Sequence, residues 1–298
     1  MTPSTPAGLP LKADLRLVSR LSVVLGVLLA GVSIVGLATG LSGLYEPFPA
    51  AAAGLFAQDL VVLLVALPLL AASMLLVRRG STAALLAWGG VLFYAAYTYY
   101  FMATGAFTAL FPSYVLIIAV ATYGLLSLLL ALDADGVAAA LRDRVPRRPI
   151  AAFFLVCVVL FVFLWGGLVA STLATGDILS PVQHLVVAVD FAILLPIVGY
   201  AGVQLLRRAP SGYLLGGILI VKAGLTGFTL AFTGAFAMWS SGQFEASEGL
   251  LVAIFSVMAI VGVALWIPFA RAARLAAASD DTSHPARGRP PVVEGRAS

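Results

Sequence analysis

Asp59, Asp190 and Lys222 each interrupt a long apolar run, and they are the residues whose types can do chemistry in this sequence. In hydrocarbon an unpaired ionised side chain costs about 2.5–3.5 kcal/mol even on the mild insertion scale, so each needs a partner or a purpose. Lys222 lies about ten residues from either end of its run, about 15 Å at 1.5 Å per residue, and its stem does not easily snorkel to an interface. Asp190 and Lys222 fall at comparable depths, about 25 Å and 21 Å of helix from Arg207-Arg208. A buried pair between them, or failing that between Lys222 and Asp59, is therefore one expectation. A bound ligand or ion at Lys222 is the other. A retinal Schiff base is disfavoured, since neither the span count nor the surrounding residues resemble a rhodopsin.

Polar and aromatic neighbours extend this set. Gln183 stands seven residues before Asp190 and so shares its helical face. Tyr94 and Tyr97 lie on one face, deeper than Tyr99, Tyr100, Phe101 and Tyr114, which read as an aromatic belt at the headgroup level. Asp59, beside Gln58, lies just inside the outer end of its run, where reaching water is an alternative to a paired role. The binding candidates for a substrate or ion are thus Asp59, Asp190, Lys222, Gln183, Tyr94 and Tyr97, gathered in a shared outward-facing pocket. No catalytic residue, cofactor or metal is expected. His184 and His284 are too few for haem ligation across a bundle or for a zinc site. No Ser-His-Asp spacing, HExxH or Gly-rich phosphate loop occurs. A single cysteine, Cys157, excludes an intrachain disulfide and CxxC chemistry.

The elements that must position these groups are membrane spans. Hydrophobic residues make up 62% of the chain and charged residues 10%, against about 45–50% and about 25% in soluble domains. Apolar runs predict eight helices, over 17–44, 55–77, 82–103, 110–132, 150–173, 183–206, 212–235 and 249–270, an all-α integral membrane protein. The first run is too long for a cleavable signal peptide. Residues 1–16 and the proline-rich 279–298 read as disordered cytoplasmic ends. Between the fourth and fifth runs, 133–149 reads as an amphipathic helix lying on the membrane surface, with Val137, Leu141 and Val145 on one face.

Alternate loops place Lys12 and every arginine on one side, leaving Lys222 as the only other basic residue. The positive-inside rule then makes both termini cytoplasmic. The net charge of +4 is a topology signal, and no nucleic-acid partner is expected. Internal likeness is also visible: LATG at Leu37 and Leu173, Asp59 followed by Leu67-Pro68 and Arg78-Arg79 with Asp190 followed by Leu195-Pro196 and Arg207-Arg208, Gly89-Gly90 with Gly216-Gly217, and TGAF at Thr104 and Thr233. The shared order predicts two four-helix repeats, 17–132 and 150–270. Each has an even number of spans, so their topologies are parallel and their axis lies near the membrane normal.

The segments QDLVVLLVALPLL with RRGS, FYAAYTYY, VDFAILLP and RRAPSGYLLGGILIVKAG resemble an uncharacterised family of prokaryotic multi-pass membrane proteins. The likeness covers the second to fourth and the sixth and seventh runs. It implies a prokaryotic plasma membrane and no activity, cofactor or substrate, so no functional residue is carried over. The duplication, the paired span prolines and the opposed Asp190 and Lys222 predict a small-solute or ion transporter with its site between the repeats. The alternatives are a membrane sensor or assembly subunit that binds a partner or lipid and, with few nucleophiles and bases available, an intramembrane enzyme.

Overall fold

A run of apolar residues in a bilayer satisfies its backbone only by becoming helix, and this chain does so almost throughout. The computed structural model describes residues 9–41, 43–105 and 107–282. Among these the only extended pairing is an isolated bridge between Leu11 and Leu132. The first half comprises α1 (Arg16–Thr39), a rod of α2 (Pro49–Val61), a π-helical turn (Val62–Ala66) and α3 (Leu67–Val77), then α4 (Thr82–Gly105) and α5 (Phe111–Ala131). After the short α6 (Ala134–Leu141) come α7 (Arg147–Thr175), a second rod of α8 (Pro181–Val189), a π-helical turn (Asp190–Leu194) and α9 (Leu195–Leu206), then α10 (Pro210–Ser241) and α11 (Ala246–Thr282).

Seven of these stretches are long and apolar enough to cross a membrane, so the chain is an all-helical, multi-pass membrane protein. The third expected run, 82–103, forms the 24-residue α4 but is not among the seven. Its tyrosines, Trp88 and glycines dilute its apolar character. The reason is its position: α4 is wrapped by α3, α5 and α10 and buries most of its length, so it need not satisfy lipid. At the centre stands α10, packed on α4, α9, α11, α2 and α6. Glycine permits this approach. A Cβ at Gly90 would lie 2.6 Å from that of Val221, and one at Gly227 would lie 2.8 Å from the backbone of α11.

Each rod contains a proline directly after its π turn, Pro68 and Pro196. A proline ring clashes with the carbonyl four residues back and offers no N–H, and widening the preceding turn accommodates both defects. Leu67 N–H thus donates to the Val62 carbonyl, and Leu195 N–H to the Asp190 carbonyl, each five residues back.

The structure departs from three expectations about the ends and the segment between the halves. The described part of the N-terminal segment 1–16 is held in place: Lys12 N–H donates to the Ala131 carbonyl at 2.7 Å, Asp133 N–H to Pro10 at 2.9 Å, and Lys12 pairs with Asp133 at 3.5 Å. The helix expected at 133–149 is α6, but Val137, Leu141 and Val145 are buried in the protein core rather than in a membrane surface. The facing turns of α10 and α11 supply apolar surface there. In the segment 279–298, helix α11 continues through Thr282, and the remainder, with His284, lies outside the described residues.

Candidate functional site

A cavity of about 390 Å³ lies between α2 and α4 of the first half and α7, α8, α9, α10 and α11 of the second. From mid-bundle at Asp190 and Lys222 it extends toward the end opposite the arginine loops, where Ala51, Gly105 and Thr233 line it. Its walls are mostly apolar. Phe154, Phe161 and Met258 are typical, and the Phe161 and Phe255 rings, 5.9 Å apart, close α7 onto α11.

The polar side chains converge on one stretch of this wall. Asp190, the first residue of the second π turn, is 3% exposed, and both of its oxygens are engaged. The Tyr97 hydroxyl donates to Oδ1 at 2.6 Å, and Trp165 Nε1–H donates to Oδ2 at 2.7 Å. Lys222, 4% exposed, places Nζ 3.7 Å from the centroid of the Tyr97 ring and 5.8 Å from that of Phe93. Above them Gln58 Nε2–H donates to the Tyr94 hydroxyl at 2.9 Å, which also bonds Thr229 Oγ1 at 2.9 Å. Tyr94 and Tyr97 thus line the cavity on α4, three residues apart.

Lys222 and Asp190 occupy one cavity without forming the expected ion pair. Among the described residues no carboxylate oxygen lies within 4.0 Å of Lys222 Nζ. Tyr97 is the physical reason: its hydroxyl holds Asp190, and its ring face holds the ammonium. A cation over a desolvated aromatic face gains about 2 kcal/mol, less than the cost of burying it, so the lysine remains short of hydrogen-bond acceptors.

No family model, curated protein or solved structure matches the chain. The chemistry of the site therefore rests on its own geometry. It presents a carboxylate already met by two donors, a cation met only by rings, and apolar walls, a combination suited to binding a small amphipathic solute. Among the described residues no cluster of three or more metal-ligating side chains occurs.

Two sequence candidates stand elsewhere. Gln183 is exposed at the start of α8, where its Oε1 accepts from Ser180 N–H at 2.9 Å and its own N–H donates to Ser180 Oγ at 3.3 Å. The Ser-Pro-Val-Gln sequence is a capping box, and it draws the glutamine back to the helix end instead of along the Asp190 face. Asp59 turns away from the cavity toward α1, leaving Gln58 to face it. The Tyr45 hydroxyl donates to Asp59 Oδ2 at 2.6 Å, while Oδ1 has no partner among the described residues. Burial and the neighbouring Asp59 carboxyl raise the Tyr45 hydroxyl well above the ordinary tyrosine range, so it remains a donor. The shared pocket for both aspartates is thus corrected to one pocket, for Asp190.

Tyr99 and Tyr114 are also fully buried, their rings 5.8 Å apart, and form part of the surroundings of Asp59 instead of a headgroup belt. Sequence reasoning missed Trp165, Thr226 and Thr229. The threonines carried a signal, since they follow Lys222 by four and seven residues and so share its face of α10. Trp165 carried only a weak one, as a tryptophan well inside its apolar run.

Proposed function

We propose that the protein is a carrier for a small solute across a prokaryotic plasma membrane. The observation supporting this most directly is the cavity itself: within an apolar core, Asp190, Lys222 and Tyr97 meet on the wall of a space of about 390 Å³, within the range of ligand sites. Buried ionisable groups on a cavity wall are the usual mark of a solute or ion path in a membrane protein.

In this reading α4 is the eighth span. Its 24 residues extend about 36 Å, enough for a hydrocarbon core of about 30 Å, and Tyr94, Tyr97 and Tyr99 are tolerated because they face protein. The arginine loops lie on the cytoplasmic side, with both termini, so the cavity faces outward. The lipid bilayer and the solute are then its partners.

Two parallel four-helix repeats are part of the same proposal. Their support is the pair of π turns, Val62–Ala66 and Asp190–Leu194, each followed by Leu-Pro. That register aligns Asp190 with Val62, so Asp59 is not its counterpart. Two widened turns in corresponding rods, one of them carrying Asp190 on the cavity, are suitable places for one half to rock against the other.

Reconstitution into liposomes tests the reading. Uptake of at least one of a panel of labelled small solutes should exceed that of protein-free vesicles and saturate. Saturable binding with no passage of any bound solute would overturn the carrier and leave a sensor.

A further inference from the structure

The carrier reading leaves open which end of a solute Asp190 and Lys222 would recognise, and the two groups differ in what they still need. Both Asp190 oxygens have a donor, from Tyr97 and from Trp165. Lys222 has three N–H bonds and, among the described residues, no hydrogen-bond acceptor or ion-pair partner. One turn farther along α10, Thr226 Oγ1 is buried and likewise has no hydrogen-bond partner. A helical threonine can donate to the carbonyl three or four residues back, and here neither bond is made. Both residues line the cavity, and their spacing of four places them on one face of the helix.

From this pair of unmet donors we infer that Lys222 and Thr226 form the head-group cradle for a carboxylate whose remaining body is apolar. This rests on the carrier reading for its transport aspect only. A carboxylate has two oxygens and accepts from two adjacent donors. An ammonium and a hydroxyl one helical turn apart present such a pair. An ammonium head would meet the like charge of Lys222 on the same wall, and each Asp190 oxygen already holds one donor. A neutral head would leave Lys222 without an anion in hydrogen-bond contact. Beyond the cradle, Phe154, Phe161 and Met258 offer only apolar contact. The volume is equivalent to about a dozen waters at ~30 Å³ each, which suits a compact body such as a phenyl or branched alkyl group.

The chemistry is shared by water-soluble carboxylates and by fatty acids from the bilayer, so the experiment has an arm for each. Protein in nanodiscs is titrated with phenylacetate, phenylacetamide and phenethylamine, which share one body and differ in head-group charge, using thermal stabilisation as the readout. Phenylacetate should bind at least about tenfold more tightly than the other two, by the scale of a charged hydrogen bond. Lys222→Met should abolish that preference, and Lys222→Arg should retain it. Thr226→Val, which removes the hydroxyl at nearly constant shape, should weaken phenylacetate by about tenfold and leave phenylacetamide unchanged.

Equal binding of the three compounds, preference for the amine, or unchanged selectivity in Lys222→Met would each overturn the assignment. Competition by hexadecanoate at a lower total concentration than phenylacetate would identify a lipid source, and its failure to compete a soluble one. Either source upholds the carboxylate. Liposomes separate this inference from the carrier reading. Selective binding of phenylacetate without uptake would remove the carrier and keep the cradle, whereas uptake indifferent to head-group charge would do the reverse.

Discussion

Asp59 and Asp190 are the same residue in comparable apolar sequence, both almost wholly buried, and each accepts a tyrosine hydroxyl at 2.6 Å. Their surroundings differ in what stands behind the carboxylate. Behind Asp59 is the packed surface of α1, where Gly36 leaves room for the side chain and nothing more. Behind Asp190 is a cavity with a cation on the same stretch of its wall. Burial and a strong hydrogen bond therefore do not by themselves distinguish a structural carboxylate from one at a site. Adjacent space, with a second group whose bonding is incomplete, does.

The contrast is sharpest in a test of access, where the expected difference is all or none. Cys157, the only thiol in the chain, lines the cavity near Lys222. Sulfonatoethyl methanethiosulfonate added to protein in nanodiscs should label it completely. In a Cys157→Ala background, Ser33→Cys places a thiol beside Asp59, and that thiol should label only after denaturation. Labelling of the introduced thiol at the rate of Cys157 would show that the two carboxylates are equally open and would break the comparison.

The next effect is one of packing. A Cβ at Gly36 would run into the Asp59 carboxylate and stand 2.7 Å from the Tyr45 hydroxyl, whereas one at Gly31, on the same helix, would meet nothing within 4 Å. Gly36→Ala should therefore destabilise the fold by about 3 kcal/mol. Gly31→Ala should be neutral or stabilise it by up to about 1 kcal/mol through helix propensity. Phenylacetate affinity should stay unchanged in both, because neither touches the cavity. Equal stability of the two variants in denaturant titrations would mean that α1 does not seal Asp59.

How much of this was legible follows the physics of each feature. Span positions were, because lipid demands long apolar helices whatever they pack against. The exception was α4, expected as a span from its run at 82–103, whose interior position relieved it of that demand and whose composition leaves it outside the seven stretches apolar enough to cross a membrane. Lys222, Asp190, Tyr94 and Tyr97 stood out as costly or amphipathic groups at related depths, and they do meet at one cavity. What the sequence could not convey was rotation about the helix axis. Gln58 and Asp59 are adjacent, yet one faces the cavity and the other α1. Gln183 shares a helical face with Asp190 by spacing, but the capping box at Ser180 claims its side chain. Tyr97 as the element interposed between Lys222 and Asp190 required coordinates as well, since depth along neighbouring helices says nothing of a third helix between them.

The smallest expected effect concerns that interposition. If Lys222 and Asp190 were a direct buried pair, removing either partner would strand the other at a cost of about 3–5 kcal/mol, and removing both would recover much of it. Here each group retains its own support when the other is lost. Asp190 keeps Tyr97 and Trp165, and Lys222 keeps the ring of Tyr97. What couples them is their remaining attraction past Tyr97 and their common hold on it. A double-mutant cycle with Lys222→Met and Asp190→Leu, followed by denaturant titration in detergent, should therefore give a coupling of only about 1 kcal/mol. Adding Tyr97→Leu to all four corners should reduce it further, because the shared support is gone. A coupling of about 3 kcal/mol or more that survives without Tyr97 would mean that lysine and aspartate bond directly. The unmet donors of Lys222, and with them the distinction between the two carboxylates, would then be lost.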